Sequence, residues 1–151
     1  MGEDLEKLGE FGLIDRFRRA ATRVRPDVRV GIGDDCAVLA AAGAGNLLVT
    51  TDMLIEGVHF RRDWMAAEQI GWKALAASLS DIAAMGGEPT GAFLALGLPR
   101  TAPLAEVEGL RMGFMACAEA YRVDLLGGDT VASPAGLVLC RRRGNDHDRQ
   151  P

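Results

Sequence analysis

Apolar residues follow helical spacing in three parts of the chain. In residues 10–24 they recur every three or four positions with arginines on the other side, which predicts an amphipathic helix ending before Pro26. Residues 66–85 and 106–121 are longer and rich in apolar side chains. Gly86, Gly87 and Pro89 follow the first of these two stretches. The pattern therefore predicts one amphipathic helix and two long helices.

Short apolar runs separated by turn residues predict the strands. These runs are residues 28–30, 36–39, 47–51, 92–98, 123–126 and 136–140. The order of helices and strands predicts an α/β (α+β) fold, with a mixed or antiparallel sheet of about four or more strands covered on one face by two long helices.

Composition limits the class of protein. The chain has 151 residues, 48% of them hydrophobic and 25% charged, which describes one globular domain. The net charge of −4 argues against a nucleic-acid or anionic-membrane partner. No apolar stretch reaches the length of a membrane span and no signal sequence begins the chain, so we expect a cytoplasmic location with no membrane contact. The three cysteines have no CxxC spacing, which predicts reduced thiols.

The aspartates are the main chemical signal. Asp34 and Asp35 follow Gly31-Ile32-Gly33, Asp52 is predicted to end a strand, Asp81 lies within a long helix, and Asp129 follows Gly127-Gly128. Magnesium prefers carboxylate and hydroxyl oxygens. If these turns converge at one edge of the sheet, their carboxylates form a cage for Mg²⁺ and phosphate.

Each of these residues has a purely structural alternative. A Gly-Asp-Asp segment is common in turns and helix caps. Asp81 could be a buried structural carboxylate paired with Ser78 or Ser80, and His59 could be an exposed loop residue. Cys36 is better explained as a buried thiol than as a nucleophile, because the neighbouring carboxylates raise a thiol pKa.

The glycines could present backbone N–H groups to phosphate, but the common nucleotide-binding patterns are absent. Gly33 is followed by Asp-Asp-Cys, so neither a Walker A sequence nor a complete G-x-G-x-x-G fingerprint is present. P-loop and Rossmann folds are therefore excluded.

Taken together, six segments resemble the thiamine-monophosphate kinase family in their order, their spacing and their amino-acid sequences. They are GEFGLI at 9–14, VGIGDDCAVL at 30–39, TTDMLIEGVHF at 50–60, GWKALA at 71–76, LSDIAAMGG at 79–87 and LGGDT at 126–130. The resemblance covers residues 9 to 140, and the segment 50–60 is its most specific part. Two related families belong to the same ATP-binding superfamily, namely aminoimidazole ribonucleotide (AIR) synthetase and the hydrogenase maturation factor. They share the Asp-bearing turns but not the sequence of segment 50–60.

The resemblance implies an N-terminal domain of the AIR synthetase-like (PurM-like) fold that transfers the γ-phosphoryl group of ATP to thiamine monophosphate. It implies no protein nucleophile, and a homodimer in which the two N-terminal sheets join into one barrel. His59 would lie against thiamine monophosphate, and Gly128 and Asp129 would contact ATP. Several Mg²⁺ ions would be held by Asp35, Thr50, Thr51, Asp52, Asp81 and Asp129.

The resemblance ends at residue 140. We expect residues 1–140 to form the domain and the polar, arginine-rich residues 141–151 to be disordered. From the resemblance we expect the family's second domain to be missing from this chain, as a shifted reading frame or a truncated gene would explain, and we expect weak or absent kinase activity. Two alternatives are another ATP-dependent kinase or synthetase of the superfamily, and a non-catalytic fragment that dimerises or binds Mg²⁺-nucleotide.

Overall fold

The computed structural model describes residues 5–21, 25–41 and 45–147. The elements in these ranges are α1 (Leu5–Ala20), β1 (Val28–Val30), β2 (Ala37–Ala40), β3 (Asn46–Ile55), α2 (Ala67–Ala84), β4 (Gly91–Pro99), α3 (Leu104–Ala120), β5 (Asp124–Ser133) and β6 (Val138–His147). The two long helices therefore match their predicted ranges to within two residues. Among the described helices, none combines the length and apolar character needed to cross a membrane.

The six strands form one mixed sheet in the order β1-β2-β3-β6-β4-β5. Neighbouring strands are antiparallel except β4 and β5, which are parallel. A parallel pair needs a long crossover, and α3 supplies it between β4 and β5. The predicted mixed sheet is confirmed.

Both long helices cover the same face of the sheet. The main core joins fully buried side chains of α2 and α3, such as Leu75 and Phe114, to residues of the sheet such as Leu139. A smaller cluster places Ile82 of α2 against Cys36, Val38 and Leu48. The opposite face, which we call the open face, is covered by neither α2 nor α3 and carries partly exposed apolar side chains, namely Met53, Phe93 and Val131.

The two long helices meet backbone to backbone at glycines. A Cβ atom added at Gly113 of α3 would lie 1.8 Å from the carbonyl oxygen of Glu68 in α2. A Cβ atom added at Gly71 of α2 would lie 2.0 Å from the carbonyl oxygen of Leu110 in α3. Non-bonded carbon and oxygen atoms cannot approach so closely, so this helix crossing requires glycine at both positions.

The predicted strand at residues 47–51 is longer than expected. β3 continues through Asp52 to Ile55 because it pairs with β6 at every position from Asn46 to Ile55. The prediction that Asp52 ends the strand is therefore wrong, and this residue lies in the middle of β3.

Gly127 and Gly128, predicted to form a turn, lie inside β5. Leu126 is an extra residue at an irregularity in the pairing with β4, and Gly127 (φ +154°) continues the strand beyond it. At Gly128 a Cβ atom would lie 1.7 Å from the carbonyl oxygen of Leu94. These glycines therefore permit a bulge and a close strand approach, and Asp129 lies within a strand instead of a turn.

The structure also differs from the predicted disorder after residue 140. Residues 141–147 continue β6, which lies between β3 and β4 and pairs with both. A central strand satisfies backbone groups on both of its edges, and this pairing does not depend on apolar side chains. Residues 148–151 lie outside the described part of the chain.

The first helix has the predicted amphipathic sequence, but its apolar side is not buried. Phe11 is 85% exposed and Phe17 is 64% exposed. α1 begins before the predicted range and contains a non-helical residue, Gly9 (φ +65°). Residues 22–24, at the predicted end of this helix, lie outside the described residues.

Candidate functional site

Two residues with predicted site roles meet where α2 lies over β3. The hydroxyl of Thr50, which is 5% exposed, donates a hydrogen bond to Asp81 Oδ2 at 2.9 Å. Asp81 is half-buried near the end of α2. An ionised carboxylate accepts at both oxygens, so this bond fixes its orientation without occupying all of its acceptor positions.

The turn at residues 34–36 lies against the Thr50–Asp81 pair. Cys36 is buried between them, and the pKa of its thiol is raised to about 11 by burial, then by the negative charges of Asp81 and Asp35. A hydrogen bond with Thr50 acts in the opposite direction but is outweighed. The predicted burial of this thiol is confirmed, and at neutral pH it is protonated and a poor nucleophile.

Asp34 and Asp35 are both exposed at the outer side of this turn. The Asp34 carboxylate accepts a hydrogen bond from the backbone N–H of Asp35 at 2.9 Å. Gly33 has a φ of +121°, a conformation that a residue with a side chain rarely adopts. The turn therefore leaves the Asp35 carboxylate open to solvent, and close enough to Cys36 to raise the pKa of that thiol, as Asp81 also does.

Neighbouring residues of β3 point to opposite faces of the sheet. Thr50 and Leu54 are buried on the helix-covered face, and strand alternation places Asp52, between them, on that same face. Thr51 is exposed on the open face, where its hydroxyl lies 3.7 Å from Cys140 Sγ. The structure therefore groups Asp52 with Thr50, but separates Thr51 from them.

Asp129 also lies on the open face. It pairs with Ala95 of β4, which is in register with Cys140 of β6 and then with Met53 of β3. Three strand spacings put Asp129 about 14 Å along the sheet from the backbone of β3. Its carboxylate accepts the backbone N–H of Thr130 at 2.8 Å.

The predicted metal-site residues therefore lie on two different sides of the sheet. Thr50, Asp52 and Asp81 are on the helix-covered side, with Asp35 in the adjoining Cys36 turn, whereas Thr51 and Asp129 are on the open face. Gly128 is exposed and, as the residue before Asp129 in β5, alternates to the opposite face. Within residues 5–21, 25–41 and 45–147, no three carboxylate, histidine or cysteine side chains lie close enough together to hold a metal ion by themselves.

His59 lies in a turn at the end of β3. Its Nδ1 accepts a hydrogen bond from the backbone N–H of Ile55 at 3.0 Å, and its carbonyl oxygen accepts one from Lys73 Nζ at 2.6 Å. Gly57 supplies the positive φ of +82° that this turn requires. His59 is exposed in a loop, as its structural alternative expected, and its ring has a defined orientation, while its substrate-binding role stays a prediction.

An ion-pair network that was not predicted from the sequence lies at the base of the same turn. Arg62 Nε donates to Glu56 Oε1 at 2.6 Å and Arg62 Nη1 donates to Oε2 of Glu106 in α3 at 3.1 Å. Glu56 Oε2 also accepts the backbone N–H of Leu137 at 2.9 Å. Glu106 lies 44 positions from Arg62 and Leu137 lies 81 positions from Glu56, so no local sequence pattern pairs them.

The Glu56 network predicts a pH-dependent contribution to stability. Burial, the largest influence, pushes the pKa of Glu56 up, but hydrogen bonds from Arg62 and Leu137 and the charge of Arg62 outweigh it, so the pKa lies below its usual value. A carboxylate with a lowered pKa stabilises the folded state above its unfolded pKa, and that stabilisation is lost as pH falls through its folded pKa. Because Arg62 is 38% exposed, water screens part of the interaction.

We therefore expect Glu56→Gln to lower the free energy of unfolding by about 1 kcal/mol at pH 7. The difference from the unsubstituted chain should shrink below pH 4.5, the usual pKa of this side chain. Urea unfolding at a series of pH values measures both. Asp63→Asn is the control, because Asp63 forms an exposed pair with Arg61, and it should leave stability unchanged. A Glu56→Gln effect independent of pH would contradict the assignment.

The sequence matches one protein family over most of its length. The family described as AIR synthase related protein, N-terminal domain, matches residues 33–140. That range includes both groups of aspartates and the His59 turn. The chain belongs to this family.

The AIR synthase related domain is similar to proteins named thiamine-monophosphate kinase. The Mycobacterium tuberculosis protein is 37% identical over 147 residues, which is 97% of this chain and 44% of that protein. The Bacillus subtilis protein is 41% identical over 132 residues, which is 87% of this chain and 40% of that protein. The chain therefore spans less than half the length of these relatives.

A solved structure extends the similarity to three dimensions. The AIR synthase related domain matches the structure of AaThiL complexed with AMPPCP and TMP, with a TM-score of 0.88 and 34% identity. The match covers 98% of this chain and 45% of that one. The fold implied by the sequence resemblance is therefore confirmed.

Proposed function

We propose that this chain is the metal- and phosphate-binding half of a thiamine-monophosphate kinase. That activity transfers the γ-phosphoryl group of ATP to thiamine monophosphate, giving thiamine diphosphate and ADP. The observation that carries the proposal is the Thr50–Asp81 pair with the Cys36 turn against it, which brings together three segments of the family resemblance. The similarity to relatives with this name, and to a structure with AMPPCP and TMP, supports it.

The chemistry of the grouped residues fits magnesium. Asp35, Asp52 and Asp81 supply carboxylate oxygens and Thr50 a hydroxyl, the hard oxygen ligands that Mg²⁺ prefers. Mg²⁺ is usually bound by one or two carboxylates together with substrate phosphates. We propose that this group holds Mg²⁺ with the phosphates, and that Thr51 and Asp129, which lie too far apart to share one ion, each contribute a ligand to a separate further ion on the open face. The bound ions would neutralise phosphate charge during transfer.

The protein groups act by positioning. Phosphoryl transfer of this kind needs in-line placement and neutralised charge, and it needs no covalent step on the protein. The buried, protonated Cys36 agrees with that expectation. We propose that Gly128 and Asp129 contact ATP and that His59 contacts thiamine monophosphate through its Nε2 atom, since Nδ1 already accepts a backbone hydrogen bond.

Two measurements on the purified chain test this function. Isothermal titration with ATP should give binding that requires Mg²⁺, and titration with thiamine monophosphate should give binding as well. Product analysis then asks whether thiamine diphosphate forms. A chain that binds neither compound in the presence of Mg²⁺ would contradict the proposal.

A second candidate function is supported by the length comparison. The chain spans 40% to 45% of the length of the relatives it matches. A fragment that binds Mg²⁺-nucleotide without turnover would fit that observation. Binding of ATP and thiamine monophosphate with no thiamine diphosphate formed would favour this candidate.

We also propose that the chain is a cytoplasmic homodimer that associates through the open face. The free thiols Cys36, Cys117 and Cys140 suit a reducing compartment. Met53, Phe93 and Val131, each about half exposed, make an apolar surface on the side of the sheet opposite the helices. A sheet face of this kind is stabilised by packing against a second layer.

The homodimer predicts a mass in solution of twice 16.1 kDa. Phe93→Glu should convert the dimer to a monomer, because it places a charge inside the apolar interface. Leu104→Glu is the control, since Leu104 is 75% exposed at the start of α3, away from the open face. Light scattering after size-exclusion chromatography measures both. A dimer that persists in Phe93→Glu would refute this interface.

A further inference from the structure

The turn that carries His59 is held in one conformation by its own backbone. The N–H of Gly57 donates to the carbonyl of Phe60 at 2.8 Å, and the N–H of Ile55 donates to Nδ1 of His59 at 3.0 Å. A nitrogen that accepts a hydrogen bond carries no proton, so the proton of the neutral imidazole must be on Nε2. The structure therefore fixes both the orientation and the tautomer of this histidine.

A side chain of α2 forms a hydrogen bond to this turn. Lys73 Nζ donates a hydrogen bond of 2.6 Å to the carbonyl oxygen of His59. Bonds from a charged donor are shorter and stronger than neutral ones. Lys73 lies on α2 directly before two fully buried residues, Ala74 and Leu75, so its backbone is fixed by the core.

We infer that Lys73 is a positioning residue for His59. Its ammonium group holds the His59 carbonyl, which keeps Nδ1 on the Ile55 N–H and leaves Nε2–H as a donor toward an acceptor atom of thiamine monophosphate. This inference rests on the proposed function for the identity of that ligand. The positioning itself depends only on contacts within the chain.

A nitrogen-15 NMR experiment tests the positioning directly. The chain has two histidines, so His147→Gln leaves the imidazole signals of His59 alone. In that background, long-range proton–nitrogen spectra near neutral pH should show a single tautomer with the proton on Nε2. Lys73→Met should produce averaged signals from both tautomers, whereas Lys73→Arg should restore the single tautomer because it keeps a cationic donor.

A general structural role for Lys73 would not change the tautomer, so this readout separates positioning from simple stabilisation. Unfolding in urea confirms that the Lys73→Met chain is folded. If folded Lys73→Met keeps the single Nε2–H tautomer, the inference is overturned. If Lys73→Arg behaves like Lys73→Met, the role of the cationic donor is likewise overturned.

Ligand titration tests the consequence for binding. Lys73→Met should weaken thiamine monophosphate binding about tenfold and leave Mg²⁺-ATP binding unchanged, because only the His59 turn is altered. Equal thiamine monophosphate affinity in both chains would overturn the inference. If the unsubstituted chain holds the Nε2–H tautomer and Lys73→Met loses it, but neither binds thiamine monophosphate, the positioning is supported and the proposed function fails.

Discussion

Replacement of Gly113 by Ala is expected to destabilise the fold by about 3 kcal/mol, a large part of the stability of a small domain. The added Cβ atom would lie 1.8 Å from the carbonyl oxygen of Glu68, so α2 and α3 would have to move apart. That movement would loosen the core at Leu110 and Phe114, which are both buried. Urea unfolding followed by circular dichroism measures the loss.

The same substitution in another helix provides the control. At Gly12 of α1 the nearest atoms to an added Cβ belong to the flexible side chain of Leu8, which can move aside. Alanine also has the higher helix propensity, so Gly12→Ala should be neutral or slightly stabilising. If Gly113→Ala proves equally harmless, the close approach of the two helices is not a requirement of the fold.

Asp81→Asn is expected to weaken Mg²⁺-dependent ATP binding by about 100-fold, at the upper end for disturbing a metal site. The change removes one negative charge but little volume, and the amide oxygen can still accept the Thr50 hydroxyl. Stability should therefore change less than affinity does. Calorimetric titration with ATP, with and without Mg²⁺, measures the effect.

The pKa of the Cys36 thiol provides a second measurement on the Asp81→Asn variant. Asp81 is one cause of the raised pKa of Cys36, so its neutralisation should lower that pKa from about 11. The pH dependence of thiol alkylation in a Cys117→Ala, Cys140→Ala background reports it. Asp63→Asn, an exposed change beside Arg61, should alter neither the thiol nor ATP binding. Unchanged ATP affinity in Asp81→Asn would remove this residue from the proposed site.

The helices, which have strong apolar periodicity, could be predicted from the sequence. Features that depend on strand pairing could not. The long helix α2 was predicted within one residue at each end, because its apolar spacing and its glycine stop are local signals. Gly127 and Gly128 are equally strong local signals for a turn. Their use in a bulge and a close strand approach depends on β4, which no local pattern reveals.

The candidate site shows the same division. Residue types and turn glycines identified Asp35 and Asp81 as candidates for chemistry. The hydrogen bond between Thr50 and Asp81 joins positions 31 residues apart, and only the packing of α2 on β3 creates it. The placement of Thr51 and Asp129 on the open face follows from strand register, which the sequence did not predict. The Glu56–Arg62–Glu106 network was missed for the same reason.

The central position of β6 has a consequence for synthesis on the ribosome. β6 is the last of the strands in the described residues, yet it lies between β3 and β4, which do not pair with each other. Its contacts with β3 join residues roughly 90 positions apart, and pairings of such high contact order form slowly. Until residues 138–147 emerge, the nascent sheet remains as two pieces with unprotected edges. Such edges are sites of aggregation, which makes this chain a candidate for chaperone binding during translation.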